Sequence, residues 1–279
     1  MKRRDFLAIS GAALAGSMLA GTTEAAARWK NIPVGTQAWC VRKQLAQDIP
    51  GTLKAVGALG YQGIELENSF GKPASEWKKY LADAGLKVCG NHVVLEALMG
   101  DKFQSTVDFN RQIGNKNLII RAMNKDVYTD RKVFDKTVDQ YNQIAEKLKP
   151  LGMKIGYHNH TTIFNKFDGS YLWDLLATKT NKDVVLQFDT GNASEVEGIN
   201  IYDVLKRTSG KLVSMHVKPY SKARPDAYLG DDELRWSEIF RMAESNSKFE
   251  WYIIEYERDV APPLEALKAN LEKFKMLRK

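Results

Sequence analysis

Cysteine and histidine are scarce in this 279-residue chain, which holds only Cys40 and Cys89 of the first and only His92, His158, His160 and His216 of the second. Two cysteines exclude a disulfide framework. Each lies in or beside an apolar run, which fits either one bridge or two free thiols packed as small hydrophobes. No glycine-rich phosphate fingerprint follows the first apolar run, where Gln37-Ala38-Trp39-Cys40-Val41-Arg42 stands instead. No Pro/Ser-rich linker breaks the chain into domains, and no basic stripe interleaved with aromatics marks a nucleic-acid surface. The formal net charge is +7, but the lysines are scattered, as on solvated helix faces, and favour anionic partners only weakly.

A long apolar run is missing too. Met1-Lys2-Arg3-Arg4-Asp5-Phe6-Leu7 opens the chain, an Ala/Gly-rich stretch continues to about Gly21, and Ala25-Ala26-Ala27 follows. That stretch is short of the roughly 20 apolar residues a membrane span needs, so no stable membrane insertion is expected. Paired arginines, a weak hydrophobic segment and a small-residue cleavage site read as an export signal. An uncleaved anchor is the alternative. The Arg-Arg pair with Phe6 and Leu7 resembles a twin-arginine signal, whose pathway carries folded proteins. The expectation is a signal over residues 1–27, handled by the export machinery, and a mature chain of residues 28–279 that is periplasmic or otherwise exported.

From there short apolar runs alternate with amphipathic segments, a β-α rhythm. The runs predict eight strands: Ile32 to Trp39, Gly63 to Leu66, Lys87 to Asn91, Asn117 to Arg121, Lys154 to Tyr157, Val184 to Phe188, Leu212 to Met215 and Trp251 to Ile254. Helical periodicity is plain over Thr52 to Leu59, Glu76 to Ala84, Lys132 to Leu148 and Leu264 to Leu277. Gly60, Gly85 and Gly152 each sit just before a strand, as helix stops do. Eight such units in about 250 residues predict a single-domain α/β fold, a closed (β/α)8 TIM barrel. A doubly wound open sheet is the runner-up.

In a parallel barrel all strands end on one rim, where catalytic residues gather. The polar strand endings are Glu65 and Glu67, His92, Arg121, His158 and His160, Asp189, His216 and Lys218, and Glu255 and Glu257. Two-residue spacing puts His158 with His160, His216 with Lys218, and Glu255 with Glu257 on one side of an extended backbone. Imidazole and carboxylate from several strand ends form a ligand set for a divalent metal. Each residue also has an ordinary reading: His92 as a hydrogen-bonded structural histidine, Glu65 and Glu67 as partners of loop lysines, Arg121 as a carboxylate's companion.

Gly60-Tyr61-Gln62-Gly63-Ile64-Glu65, Tyr157-His158-Asn159-His160, Phe188-Asp189-Thr190-Gly191-Asn192, Met215-His216-Val217-Lys218 and Ile253-Ile254-Glu255 together resemble the xylose-isomerase-like barrel family of sugar phosphate isomerases and epimerases, which also includes DNA repair enzymes of the endonuclease IV type. The resemblance implies a manganese, zinc, cobalt or magnesium ion held by an acid ending the fifth strand, an Asp ending the sixth, a His ending the seventh and a Glu ending the eighth. The last three fall on Asp189, His216 and Glu255. His158 occupies the fifth-strand position, a departure that puts a symmetric two-carboxylate epimerisation in doubt and leaves one-base proton abstraction beside a carbonyl.

The expected function is a metal-dependent sugar isomerase or epimerase acting on a small-molecule carbohydrate. Glu255, His160 or Glu257 would move the proton and Lys218 would neutralise developing charge. Glu65, His92, Trp39 and Asn192 would hold the substrate. An exported enzyme points to free sugars or sugar derivatives, which brings in a lyase acting on 3-keto-glycosides or inositol-like polyols. A non-catalytic sugar-binding barrel using Trp39, Tyr157, Phe164 and Trp236 is a rival of another class. Nucleic-acid repair is disfavoured. The segment Pro219 to Trp236 reads either as a flap over the pocket or as a surface excursion, and charged helix faces leave a homo-oligomer open.

Overall fold

The structure, a computed structural model, describes residues 30–279; the expected signal lies outside the described residues. Eight parallel strands close the barrel within Asn31–Lys279. They are β1 (Val34–Gln37), β2 (Gly63–Leu66), β3 (Lys87–Val93), β4 (Asn117–Ile120), β5 (Lys154–His158), β6 (Val184–Asp189), β7 (Leu212–Val217) and β8 (Trp251–Ile254). Neighbours pair in chain order, and β8 closes on β1 with Val34 opposite Tyr252. The sequence expectation of a (β/α)8 TIM barrel holds. β5, β6 and β7 run past their expected ends, so His158, Asp189 and His216 lie within the ladder, which fixes their backbones.

Each strand is followed by a main helix, α1 (Ile49–Ala58), α2 (Ala74–Ala84), α3 (Lys102–Gln112), α4 (Arg131–Leu148), α5 (Leu172–Lys179), α6 (Ile201–Thr208), α7 (Trp236–Ser245) and α8 (Pro263–Leu277), with shorter helical pieces such as Arg42–Gln47 beside them. Side chains start several of them: Asp48 accepts from Gly51 N, Asp130 from Lys132 N and Val133 N, and Asn200 from Tyr202 N and Asp203 N. Gly85 and Gly152, at φ +67°, supply the left-handed turns before β3 and β5. The sequence shows clear helical periodicity at α1, α2, α4 and α8; α3, α5, α6 and α7 complete the eight expected units, and of these α3 buries only Val107 and Asn110.

Ile119, Val185 and Val213 pack inside the barrel. Gly156 faces them, and a Cβ there would stand 2.7 Å from the Ile119 Cδ1 atom. The residues one step out of phase point to the helices. Tyr157 is fully buried and shares a hydrogen bond with Tyr128 (2.9 Å), Phe164 and Trp173 pack together, and Trp236 lies against Phe240. Of the aromatics expected at a sugar pocket, these three (Tyr157, Phe164 and Trp236) therefore belong to the core. Cys40 and Cys89 are buried free thiols, and burial pushes the Cys40 thiol up to about 12.

The segment after β7 is tied to Tyr256, just past β8, and to α8. Tyr228 stacks on Tyr256, Leu229 N donates to Asn270 Oδ1 (2.9 Å), and Lys273 pairs with Asp231 (2.7 Å). None of it lines the pocket described below. Among the described residues no helix is long and apolar enough to cross a membrane.

Candidate metal centre and reaction pocket

Glu65 enters the barrel from β2 with no exposure to solvent. Its Oε1 accepts from Gln187 Nε2 (2.7 Å) and its Oε2 from Gln37 Nε2 (2.8 Å), His216 Nε2 (2.6 Å) and His92 Nε2 (3.1 Å). Burial raises a carboxyl pKa, but the His92 and His216 rings outweigh it and hold Glu65 well below the usual carboxylate range. The room it occupies exists because residue 90 is glycine: a Cβ there would collide with the carboxylate. Glu65 thus lies beneath the histidines and does not line the pocket where substrate contact was expected.

Gln187 organises the same layer. Its Oε1 accepts from His92 Nε2 (2.9 Å) and His158 Nδ1 (3.0 Å), and its Nε2 also reaches Ser214 Oγ (2.9 Å). With Nδ1–H committed, His158 turns Nε2 toward Asp189 Oδ2, 3.9 Å away. His216 is set the opposite way. Glu65 takes its Nε2–H, and Nδ1 faces Asp189 Oδ2 (3.6 Å) and Glu255 Oε2 in close contact. Buried acceptors that fix ring tautomers in this manner are what metal-binding histidines require.

Asp189 divides its oxygens. Oδ1 accepts from Asn192 N (2.7 Å) and starts the helical turn Thr190–Ser194, while Oδ2 is buried with no hydrogen-bond partner. Asn159 clamps the strand ends, its Oδ1 accepting from Asp189 N (2.7 Å) and its Nδ2 donating to Asp189 O (3.0 Å). Donor atoms of Asp189, His216 and Glu255 lie within 4.8 Å of one another, as do those of His92, His158 and His216. An orphaned acceptor among imidazoles and acids fits a divalent cation.

Charge balance points the same way. Glu65, Asp189 and Glu255 are all buried acids. Lys218 brings one ammonium, bonded to Glu255 Oε1 (3.0 Å), Glu257 Oε1 (2.5 Å) and Asn192 Oδ1 (3.1 Å). Burial disfavours its charge, but Asp189, Glu255 and Glu257 together raise its pKa. The same contest is won by charge at His216, where Glu65 and Glu255 lift the ring well above the usual imidazole range against burial. Asn192, expected at the substrate, holds Lys218 and donates to Asn159 O (3.0 Å).

Above this centre opens a pocket of about 200 Å³. His92, His158, His160, Glu255, Glu257 and Trp39 reach it, as do Gln37, Glu67 and Arg121. Trp39 donates from Nε1 to Glu257 Oε2 (3.1 Å), and the Arg42 guanidinium lies 4.1 Å over its ring. The hydrogen bond to Glu255, with burial, raises Glu257 to about 7. Desolvation at the pocket wall lowers the pKa of His160. Gln37, Gln187 and Asn159 were not singled out in the sequence. Gln187 carried a signal: it is in phase with Val185 and Asp189, so it is an amide placed inward on an apolar strand.

A family model described as xylose isomerase-like TIM barrel matches residues 53–279. The chain belongs to that family. Among curated family relatives, an inosose dehydratase from Serratia proteamaculans (strain 568) is 23% identical over 252 residues, covering 76% of this chain and 84% of that protein. A sugar phosphate isomerase/epimerase from Parabacteroides distasonis ATCC 8503 has the same fold, with a TM-score of 0.74 at 18% identity over 89% of this chain and 94% of that one. A xylose isomerase-like TIM barrel protein from Mycobacterium smegmatis, solved in complex with magnesium, superposes with a TM-score of 0.65 at 13% identity, covering 89% and 97%.

Proposed function

We propose that this isomerase/epimerase-like barrel is a divalent-metal-dependent enzyme that removes a proton next to the carbonyl of a free sugar or sugar derivative, outside the cytoplasm. The observation that carries the reading is the partnerless Asp189 Oδ2, with His158 Nε2 and His216 Nδ1 turned toward it. His158, Asp189, His216 and Glu255 would hold the ion, which when bound would act as a Lewis acid on substrate oxygens. Glu65 and Gln187 keep the imidazoles aimed. Lys218 places positive charge beside Glu255 and Glu257, where an enediolate's negative charge develops. Glu257 and His160 line the pocket from just past the ends of β8 and β5 and take and return protons at the sugar carbons.

Loss of the α-proton has two outcomes. Its return gives isomerisation or epimerisation, and expulsion of a β-oxygen gives elimination. Elimination is favoured by His158, an imidazole standing where the family resemblance implies a second acid, and by the relatives named inosose dehydratase. A single base on one face suffices for that reaction, with a second group protonating the departing oxygen. Incubating metal-loaded protein with keto sugars in deuterium oxide tests this. Deuterium on the carbon beside the carbonyl, or an unsaturated product, is expected; neither appearing with any keto sugar would remove the proposal.

A further inference from the structure

Glu67, His92 and Arg121 line the reaction pocket and also a second cavity of about 360 Å³. The reaction pocket by itself, about 200 Å³, falls short of the roughly 300–1,000 Å³ typical of small-molecule sites; a substrate lying across the shared wall into both cavities would occupy a volume in that range. The junction carries an acid and a guanidinium, an acceptor and a donor suited to sugar hydroxyls on either side of it. Beyond the junction the wall is of mixed character. Phe109 and Ser105 come from α3, and Val94, which is 48% exposed, follows β3. Asn91 also lines this cavity. It is 6% exposed, its Nδ2 donates to Asn110 Oδ1 (2.9 Å), and its Oδ1 has no partner. An aromatic face and an unmatched carbonyl beside a carbohydrate pocket suit a ring that is apolar on its face and hydroxylated at its edge.

We infer that the second cavity is the subsite for the leaving group of a keto-glycoside, so that the substrate is a two-ring molecule, a keto-disaccharide or an aryl keto-glycoside. This rests on the elimination reading above. In a 3-keto-glycoside the acidic hydrogen is on C2. Its removal leaves the electron pair to form the C1–C2 double bond as the C1–O bond breaks, and the departing oxygen takes up a proton and leaves as an alcohol. Atoms and electrons balance without oxidant or water. Arg121 and Glu67 stand where the two rings would meet, and Phe109 receives the departing one.

The test compares a 3-keto-disaccharide with the methyl glycoside of the matching 3-keto-monosaccharide for wild type, Ser105→Trp and Phe109→Ala, following alcohol release, deuterium uptake and binding by ligand-observed NMR. Ser105 is an exposed helix residue, so a tryptophan there narrows the cavity with the fold verified by circular dichroism. The kcat/KM of the disaccharide relative to the monosaccharide is expected to fall about tenfold or more in both variants, mostly through KM. An unchanged ratio in folded Ser105→Trp overturns the subsite. If wild type turns over neither compound, the elimination reading fails instead, and the subsite is then judged by whether Ser105→Trp weakens disaccharide binding more than monosaccharide binding.

Discussion

Asp189 gives one carboxylate oxygen to the turn that follows it and leaves the other in a buried ring of imidazoles. Asn in its place keeps the shape and the Oδ1 acceptor but removes the anionic donor. Asp189→Asn should fold, show the wild-type circular dichroism spectrum, and lose most of its bound metal by elemental analysis; full metal occupancy would refute its role as ligand. Glu65 works one layer lower, through His216. Replacing it by Gln sets an amide N–H against the His216 N–H and removes a buried anion that four donors face. Glu65→Gln should lower metal affinity about 10–100-fold and stability by about 3–5 kcal/mol. Urea unfolding read beside a metal titration checks both, and wild-type values for either would show that Glu65 does not orient the ring.

At the level of elements, the strands were legible and the barrel followed from them. Val184 to Phe188, interrupted only by Gln187, and Trp251 to Ile254 are apolar runs, as expected of strands covered on both faces. Helices with a long stripe, such as α4, were legible as well; α3 was not, since tertiary packing asks only Val107 and Asn110 of it. The acids and histidines at strand ends were readable because a parallel barrel sends them all to one rim. Gln37 carries no periodic signal and Gln187 only its inward phase, which does not say what the amide bonds, and the direction of Glu65, down and inward, depends on the gap at Gly90. Gly191 has a similar task. A Cβ there would stand 2.6 Å from Lys218 Cγ, so the glycine lets the lysine stem cross toward Glu255 and Glu257. Gly191→Ala should cost about 1–3 kcal/mol by overpacking and lower kcat/KM with metal content unchanged. In a double-mutant cycle with Lys218→Ala the two stability losses should be less than additive; strict additivity would show that this contact is not the cause.

The whole molecule carries opposite charge outside and in. Basic residues give the chain +7, yet three acids, Glu65, Asp189 and Glu255, are gathered inside the barrel against the Lys218 ammonium on Glu255 and the His216 ring between Glu65 and Glu255. Buried acids without full compensation favour any species that brings positive charge to them. A cation that binds the folded chain and not the unfolded one stabilises it by RT ln(1 + [L]/Kd), about 2.7 kcal/mol at a hundredfold excess over Kd. For a barrel of this size that corresponds to a rise in melting temperature of about 5–10 °C, taking roughly 2–4 °C per kcal/mol. Chelator-treated protein should therefore melt lower than protein in excess manganese, by calorimetry, and Asp189→Asn should show no such shift. Equal melting of wild type in both conditions would mean that lysine and protons alone balance the barrel interior. A full shift persisting in Asp189→Asn would locate the stabilising ion elsewhere, because the variant removes the one buried acid whose free oxygen faces both His158 and His216.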